Sequence, residues 1–138
     1  MRRERHDFLI LPDLKTRTDL IVFDWRAKLV TWHKKTFEAP FNMGVINLRK
    51  SVLVCGGFVF RHNATSSTRE TREVTRQLQI RDLAQMLYSR SFFSLALSRQ
   101  EQMVYAIGGM REFNSLDYSG TVELYRRKEN TWSELPSL

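Results

Sequence analysis

Short apolar runs separated by polar turns dominate the second half of the chain. The runs lie at residues 91–97, 103–107, 121–125 and 131–135. The third run alternates apolar and polar side chains with a period of two, which is typical of a half-buried strand. Turn-forming residues separate the runs, and Pro136 follows the last one. The pattern predicts four short strands within about 45 residues.

Two pairs of adjacent glycines end strand-like runs 52 residues apart. The pairs are Gly56 with Gly57 and Gly108 with Gly109. Glycine is unfavourable in a strand because it loses the most backbone entropy and adds no side chain to the packing. The recurrence of a glycine pair at the end of an apolar run predicts a repeated unit. In each unit the backbone turns out of a closely packed strand at the glycines.

The segment before the second half repeats its plan over residues 43–88. The predicted strands are 43–48, 52–55, 77–81 and 84–88, and on propensity alone the last could equally be a helical turn. The polar stretch 61–76 is expected to be a flexible, solvated insertion, with a partner-binding or phosphorylatable loop as the alternative.

Half a unit precedes these two. Residues 19–24 and 29–32 are predicted to be a third and a fourth strand in a partial unit at 19–35, and residues 1–18 are expected to be irregular. Trp32 lies 100 residues before Trp132, which is two periods of about 50. Two registers for this strand pair stay open, because either Phe23 or Trp25 could be the cross-strand partner of Trp32.

Four-stranded units with a period of about 50 residues are typical of β-propellers, and this period is that of kelch repeats. Unit 91–135 resembles the kelch repeat in its diglycine, in Tyr125 and in Trp132, and Met86 with Arg90 resembles the lead into its first strand. The resemblance implies an all-β fold, an incomplete kelch β-propeller over residues 19–138. It implies a structural repeat motif of Gly56, Gly57, Arg90, Gly108, Gly109, Tyr125, Trp132 and Trp32.

About two blades and half of another cannot close a ring, because propellers have about 4–8 blades. The chain is therefore expected to be a fragment of a longer product or to need other chains. Its net charge of +7 is spread along the sequence without a dedicated basic tail. A single cysteine and the lack of a signal-peptide core or bilayer-spanning run favour a reducing, cytoplasmic location.

Candidate chemistry is sparse. The three histidines are scattered, the glycine pairs do not match a phosphate-binding loop, and Cys55 is expected to be a buried, inert thiol. No catalytic residue, metal ligand or cofactor is predicted. One alternative is an enzyme on a galactose-oxidase-like propeller, although no matching histidine and tyrosine set is found. Another is a basic domain that binds nucleic acid or an acidic ligand, but most aromatics are needed within the strands.

The resemblance implies a non-catalytic protein–protein interaction module, used for substrate recognition or as a scaffold in a larger adaptor. No BTB or F-box segment is visible. If both diglycines end second strands, loops 58–75 and 110–119 emerge on the same propeller face. The expected partner is a protein or peptide segment, acidic or phosphorylated, because arginine forks bind carboxylate and phosphate. The candidate contact residues are Arg61, Arg69, Arg72, Arg111, Phe113, Asn114 and Tyr118.

Overall fold

The computed structural model describes residues 8–13, 15, 18–34, 38–61, 64–111 and 120–136. These residues form thirteen strands and no helix. The strands are β1 (Phe8–Pro12), β2 (Leu20–Asp24), β3 (Leu29–His33), β4 (Gly44–Asn47), β5 (Ser51–Cys55), β6 (Phe58–Arg61), β7 (Ala64–Ser67), β8 (Thr71–Thr75), β9 (Ile80–Leu83), β10 (Ser94–Leu97), β11 (Met103–Ile107), β12 (Val122–Arg126) and β13 (Thr131–Leu135). The predicted all-β class is confirmed.

The strands make three large antiparallel sheets. The first sheet has the order β1-β2-β3, the second β4-β5-β8-β9 and the third β10-β11-β12-β13, while β6 and β7 form a separate hairpin. Each large sheet follows the chain as a meander, apart from the hairpin inserted between β5 and β8. This is the arrangement of successive propeller blades.

Two apolar clusters join the sheets face to face. Between the first and second sheets lie Ile10, Leu20, Val52, Val54 and Val74. Between the second and third sheets lie Leu48, Leu53, Cys55, Met86, Val104, Ala106, Tyr125 and Trp132. The first strands of the second and third sheets, β4 and β10, are also neighbours. The second sheet is therefore covered on both faces, as a central blade requires.

The third sheet agrees with its sequence prediction. Tyr125 in β12 is the cross-strand partner of Val104 in β11 and of Trp132 in β13. The Tyr125 and Trp132 ring centroids are 5.0 Å apart, and both side chains are buried. The two aromatics of the repeat thus fill the wedge between neighbouring blades, where a large side chain gains the most from burial.

The diglycines are required by backbone geometry. Gly57 and Gly109 have φ of +92° and +90°, which side-chain-bearing residues rarely adopt. A Cβ on Gly109 would lie 2.6 Å from the Phe93 Cβ and 2.7 Å from the Ser91 carbonyl oxygen. The second strand therefore turns out of the sheet against the backbone that leads into the first strand.

Replacing Gly109 by alanine is expected to lower the free energy of unfolding by at least about 1–3 kcal/mol, because it combines a left-handed backbone with a clash. Gly120→Ala is the matched control, since no described atom lies within 4 Å of its added Cβ. We expect that control to change stability by no more than about 0.5 kcal/mol. Urea denaturation followed by circular dichroism measures both, and equal effects would contradict the geometric explanation.

The predicted outer strands of the second sheet are wrong. The third strand is Thr71–Thr75 instead of 77–81, and the fourth is Ile80–Leu83 instead of 84–88. Val74 decides the register, because it pairs with Val52 and is fully buried. Stretch 61–76 is likewise no flexible insertion, since it contains the end of β6 and all of β7 and β8.

Two expectations for the N-terminal part are also corrected. Residues 1–18 are not irregular throughout, because β1 pairs with β2 and buries Ile10 against the second sheet. Trp32 does not occupy the position of Trp132: it pairs with Ile21 and is 57% exposed. Phe23 pairs instead with Val30 across a four-residue turn, and Trp25 lies in that turn.

Candidate functional site

Arg90 is the most constrained residue of the repeat motif. Its guanidinium is fully buried and donates from Nε to Glu123 Oε2 at 2.9 Å. Nη1 donates to the carbonyls of Gly108 and Thr121 at 2.8 and 2.9 Å, and Nη2 donates to Thr121 Oγ1 at 2.8 Å. All of these acceptors lie in β12 or in the residues next to β11 and β12. Arg90 therefore links the segment that precedes β10 to the diglycine that follows β11.

The backbone around Arg90 joins the two repeats. Its carbonyl accepts a hydrogen bond from Gly57 N at 2.6 Å, and its N–H donates to Thr68 O at 3.3 Å. Glu123 in turn accepts from the N–H of Leu87. These contacts engage the polar atoms of Arg90 and Glu123. The ion pair is therefore a structural element between blades instead of a reactive site.

Loops from two repeats meet at one end of the sheets, which we call the diglycine end. Here β5 and β11 finish in their glycine pairs, and the connectors into β4 and β10 arrive. Ser91 and Met110 form a bridge, as do Phe41 and Phe58. The opposite end, which we call the turn end, carries the turns after β4, β8, β10 and β12.

An aromatic stack lies at the diglycine end. Phe41 and Phe58 stack with ring centroids 5.2 Å apart, and Phe58 and Phe92 with centroids 6.0 Å apart. Phe41 is 43% exposed and Phe92 is 53% exposed. Phe60, further along the β6–β7 hairpin, is 64% exposed. Together they place an apolar, ring-lined surface where loops of two blades converge.

Cationic and polar groups also lie at the diglycine end. The Arg111 guanidinium lies over the Tyr88 ring, 4.1 Å from its centroid. The Tyr88 hydroxyl donates to Glu134 Oε2 at 2.8 Å, and this hydrogen bond raises the pKa of Tyr88. On the connector between β9 and β10, which also carries Tyr88, Gln85 Oε1 accepts a hydrogen bond from Arg69 Nη2 at 3.2 Å. Arg69 and Arg111 are both exposed, so each retains donors that face solvent.

The structure separates the predicted contact residues. Arg69 and Arg111 lie at the diglycine end as expected, and Arg61 is the last residue of β6. Arg72 lies within strand β8 instead of a loop, and it pairs with Glu70 at 3.1 Å and Asp82 at 3.4 Å. Phe113, Asn114 and Tyr118 lie outside the described residues.

Sequence reasoning missed the aromatic stack because it assigned the aromatics to folding. Phe58 lies in the predicted loop 58–75 and Phe92 in the predicted strand 91–97, whereas the structure places Phe41 and Phe92 before β4 and β10. The available signal was their position, since the repeat motif needs aromatics within the third and fourth strands only. Phe92 and its counterpart Asn42 also share a left-handed backbone, with φ of +52° and +49°.

A concave region lies at the turn end between the second and third sheets. This open cleft of about 460 Å³ is lined partly by Glu73, Arg81, Tyr125, Arg127 and Asn130. Two pairs of its polar groups are in contact: Arg81 pairs with Glu73 at 2.9 Å, and the Tyr125 hydroxyl donates to Asn130 Oδ1 at 2.7 Å.

Reactive or metal-binding groups do not gather in the part of the chain described here. Its residues contain no cluster of three His, Cys, Asp or Glu side chains placed to hold a metal ion. Cys55 is buried as predicted, and burial raises the pKa of its thiol. A neutral, enclosed thiol is a poor nucleophile. Nor do the described residues include a helix long and apolar enough to span a membrane.

Sequence comparison supports the repeat assignment. The Kelch motif model matches residues 100–138, a range that includes strands β11, β12 and β13. This match confirms the resemblance to kelch repeats that the diglycine, tyrosine and tryptophan predicted. No curated protein sequence matches the chain.

Solved structures show the same fold. One is a fungal alcohol oxidase of the AA5 family in complex with copper, with a TM-score of 0.68 and 14% identity over 96% of this chain and 30% of that one. Another is the structure of YjhT, with a TM-score of 0.79 and 11% identity over 98% of this chain and 49% of that one. The chain thus spans less than a third of the former and about half of the latter. At these identities the likeness concerns the fold and not the activity.

Proposed function

We propose that this chain is a non-catalytic protein-interaction module of kelch-repeat type, and that it binds a peptide segment at the diglycine end. The aromatic stack of Phe41, Phe58 and Phe92 carries the proposal. Exposed aromatic side chains that are already held in place by stacking lose little entropy on binding and are frequent hot spots of protein interfaces.

The flanking charges select the chemistry of the ligand. Arg69 and Arg111 both contact the connector through residues 85–89. A guanidinium presents several donors in a fixed fork that suits carboxylate and phosphate. An acidic peptide with an apolar anchor would place the anchor on the stack and its carboxylates at the arginines. The net charge of +7 favours the approach of such a ligand.

Selection of peptides from a displayed library, followed by fluorescence-anisotropy titration of the best binder, tests this function. Phe92→Ala is expected to weaken binding at least about tenfold, which corresponds to roughly 1.4 kcal/mol. Arg69→Ala combined with Arg111→Ala should weaken it similarly and should reduce its salt dependence. A phosphorylated version of the peptide separates phosphate recognition from carboxylate recognition.

Arg99→Ala is the matched charge control, because Arg99 is exposed in the β10–β11 turn at the turn end. We expect it to leave the affinity unchanged at low and moderate salt. Unchanged affinity in Phe92→Ala, with the fold intact by circular dichroism, would place the binding site elsewhere. If Arg99→Ala weakened binding as much as the double variant, nonspecific charge attraction would replace the proposed site.

A further inference from the structure

The first sheet presents an apolar face that no other described sheet covers. Cross-strand pairing places six side chains on this face, while the opposite face packs on the second sheet through Ile10, Leu20 and Val22. Val30 and Trp32 on the open face are 51% and 57% exposed. The six residues, which we call the leading face, are Leu9, Leu11, Ile21, Phe23, Val30 and Trp32.

The leading face is equivalent to a face that forms a blade contact elsewhere in the chain. Phe23 and Val30 hold the register positions of Tyr125 and Trp132, because each pair flanks a four-residue turn. The last residue of each turn, Lys28 in one and Asn130 in the other, is in the left-handed conformation. In the third sheet, the face with Tyr125 and Trp132 packs against the preceding blade. The leading face is therefore built to receive a preceding blade.

The third sheet carries the complementary open face. The side chains opposite its packed face, which we call the trailing face, include Ala96, Met103, Tyr105, Ile107, Val122 and Leu135. Ile107 is 44% exposed. In the second sheet, the face equivalent to the trailing face uses Ile46, Leu53 and Cys55 to pack on the next blade. The chain thus displays both halves of an interface that it already forms twice internally.

The number of blades in a closed propeller limits how many copies of the chain can cover both the leading and the trailing face. Propellers close with about 4–8 blades. The described residues of one copy form three large sheets, so those of two copies form six and those of three copies form nine. Of these assemblies, only the one with two copies falls within that range. The fit of this chain to 49% of the YjhT structure, at a TM-score of 0.79, agrees with a propeller twice its length. Head-to-tail interfaces of this kind form rings when the rotation closes.

We propose that a second copy of this chain is the partner of both open faces. The leading face of each copy packs on the trailing face of the other, which closes a ring of six sheets with two identical interfaces. The inner edge of β1 is already protected at Ile10, because the Asn47 side chain accepts from its N–H at 2.9 Å and donates to its carbonyl at 3.2 Å. This assembly does not depend on the peptide-binding role.

Size-exclusion chromatography with light scattering on the unmodified chain is the first test. The expected mass is twice the 16.4 kDa of one copy, and dilution should dissociate it to a single species of half that mass. A monomer at every concentration would overturn the proposal, and so would open-ended species larger than two copies. Because this measurement needs no substitution, misfolding of a variant cannot obscure it.

Two charge substitutions test the head-to-tail arrangement. Val30→Arg on the leading face and Ile107→Arg on the trailing face should each weaken self-association at least about thirtyfold, as expected for a hot spot. Mixing these two variants should restore a dimer with one intact interface. Phe60→Arg is the control, because Phe60 is exposed on the β6–β7 hairpin and belongs to neither face. A dimer that resists Ile107→Arg but not Val30→Arg would indicate a symmetric leading-face contact and contradict the proposal.

Discussion

Replacing Arg90 by alanine is expected to lower the free energy of unfolding by about 3–5 kcal/mol, the usual cost of removing one partner from a buried ion pair. The Glu123 carboxylate is fully buried and would lose its only ion pair among the described residues. The carbonyls of Gly108 and Thr121 would also lose a donor. Urea denaturation followed by circular dichroism at a fixed protein concentration measures this change.

Arg99→Ala serves as the control for Arg90→Ala, because it removes the same side chain from an exposed turn. It should change stability by no more than about 0.5 kcal/mol. The double variant Arg90→Met with Glu123→Leu should recover much of the loss, since a buried pair replaced by apolar side chains is often neutral. A double variant that is as unstable as the sum of both single variants would show that the two charges are not coupled.

Replacing Trp132 alone by alanine is expected to lower the free energy of unfolding by about 3–5 kcal/mol. The indole is 7% exposed, packs at a tilt against the Tyr125 ring and belongs to the cluster between the second and third sheets. Its Nε1–H also donates to the Ala84 carbonyl at 2.9 Å, so the substitution removes a hydrogen bond as well as a packed ring. Thermal and urea unfolding both measure the loss.

Phe60→Ala is the aromatic control for Trp132→Ala, because the Phe60 ring is 64% exposed. Its removal should alter stability by no more than about 0.5 kcal/mol. Trp132→Phe should retain part of the stability, since it keeps a ring in the wedge but not the indole donor. If Phe60→Ala and Trp132→Ala were equally damaging, the wedge between the blades would not be the source of the stability.

The third sheet could be predicted closely because its information is local. Each strand carries its own apolar pattern, and the turns between β10 and β11 and between β12 and β13 are short. Gly109 is needed by its own backbone dihedral, and Tyr125 and Trp132 are cross-strand partners across one tight turn. Short-range features of this kind are legible in a single sequence.

The second sheet shows where local pattern fails. Residues 77–81 alternate better than Thr71–Thr75, which contains a single large apolar residue, Val74. Thr71–Thr75 nevertheless forms the third strand, because its Val74 is fully buried with Val52 and Ile10 in the cluster between the first two sheets. Leu78 instead takes a left-handed turn conformation with φ of +60°. The burial of Val74 depends on partners in two other strands, which no window of sequence displays.

The candidate site was predictable in place but not in composition. Diglycine positions indicated which end of the sheets gathers loops, and Arg69 and Arg111 were found there. The stack of Phe41, Phe58 and Phe92 was not predicted, since its members come from three separate segments. Tertiary contacts bring these segments together, among them the bridge between Phe41 and Phe58 and the hydrogen bond from the Phe92 N–H to the Asn42 carbonyl.

By itself, the sequence determined the all-β class, the kelch-type repeat and the strands of the third sheet, because strand period, glycine conformation and short turns are properties of neighbouring residues. Tertiary structure alone decided that Arg90 is enclosed with Glu123, that β1 completes the first sheet, and that Trp32 faces outward while Trp132 is buried. These outcomes depend on which distant strands pack together. Trp32 and Trp132 lie on equivalent faces of their sheets, and in the part of the chain that the structure describes only the face with Trp132 has a preceding sheet packed on it.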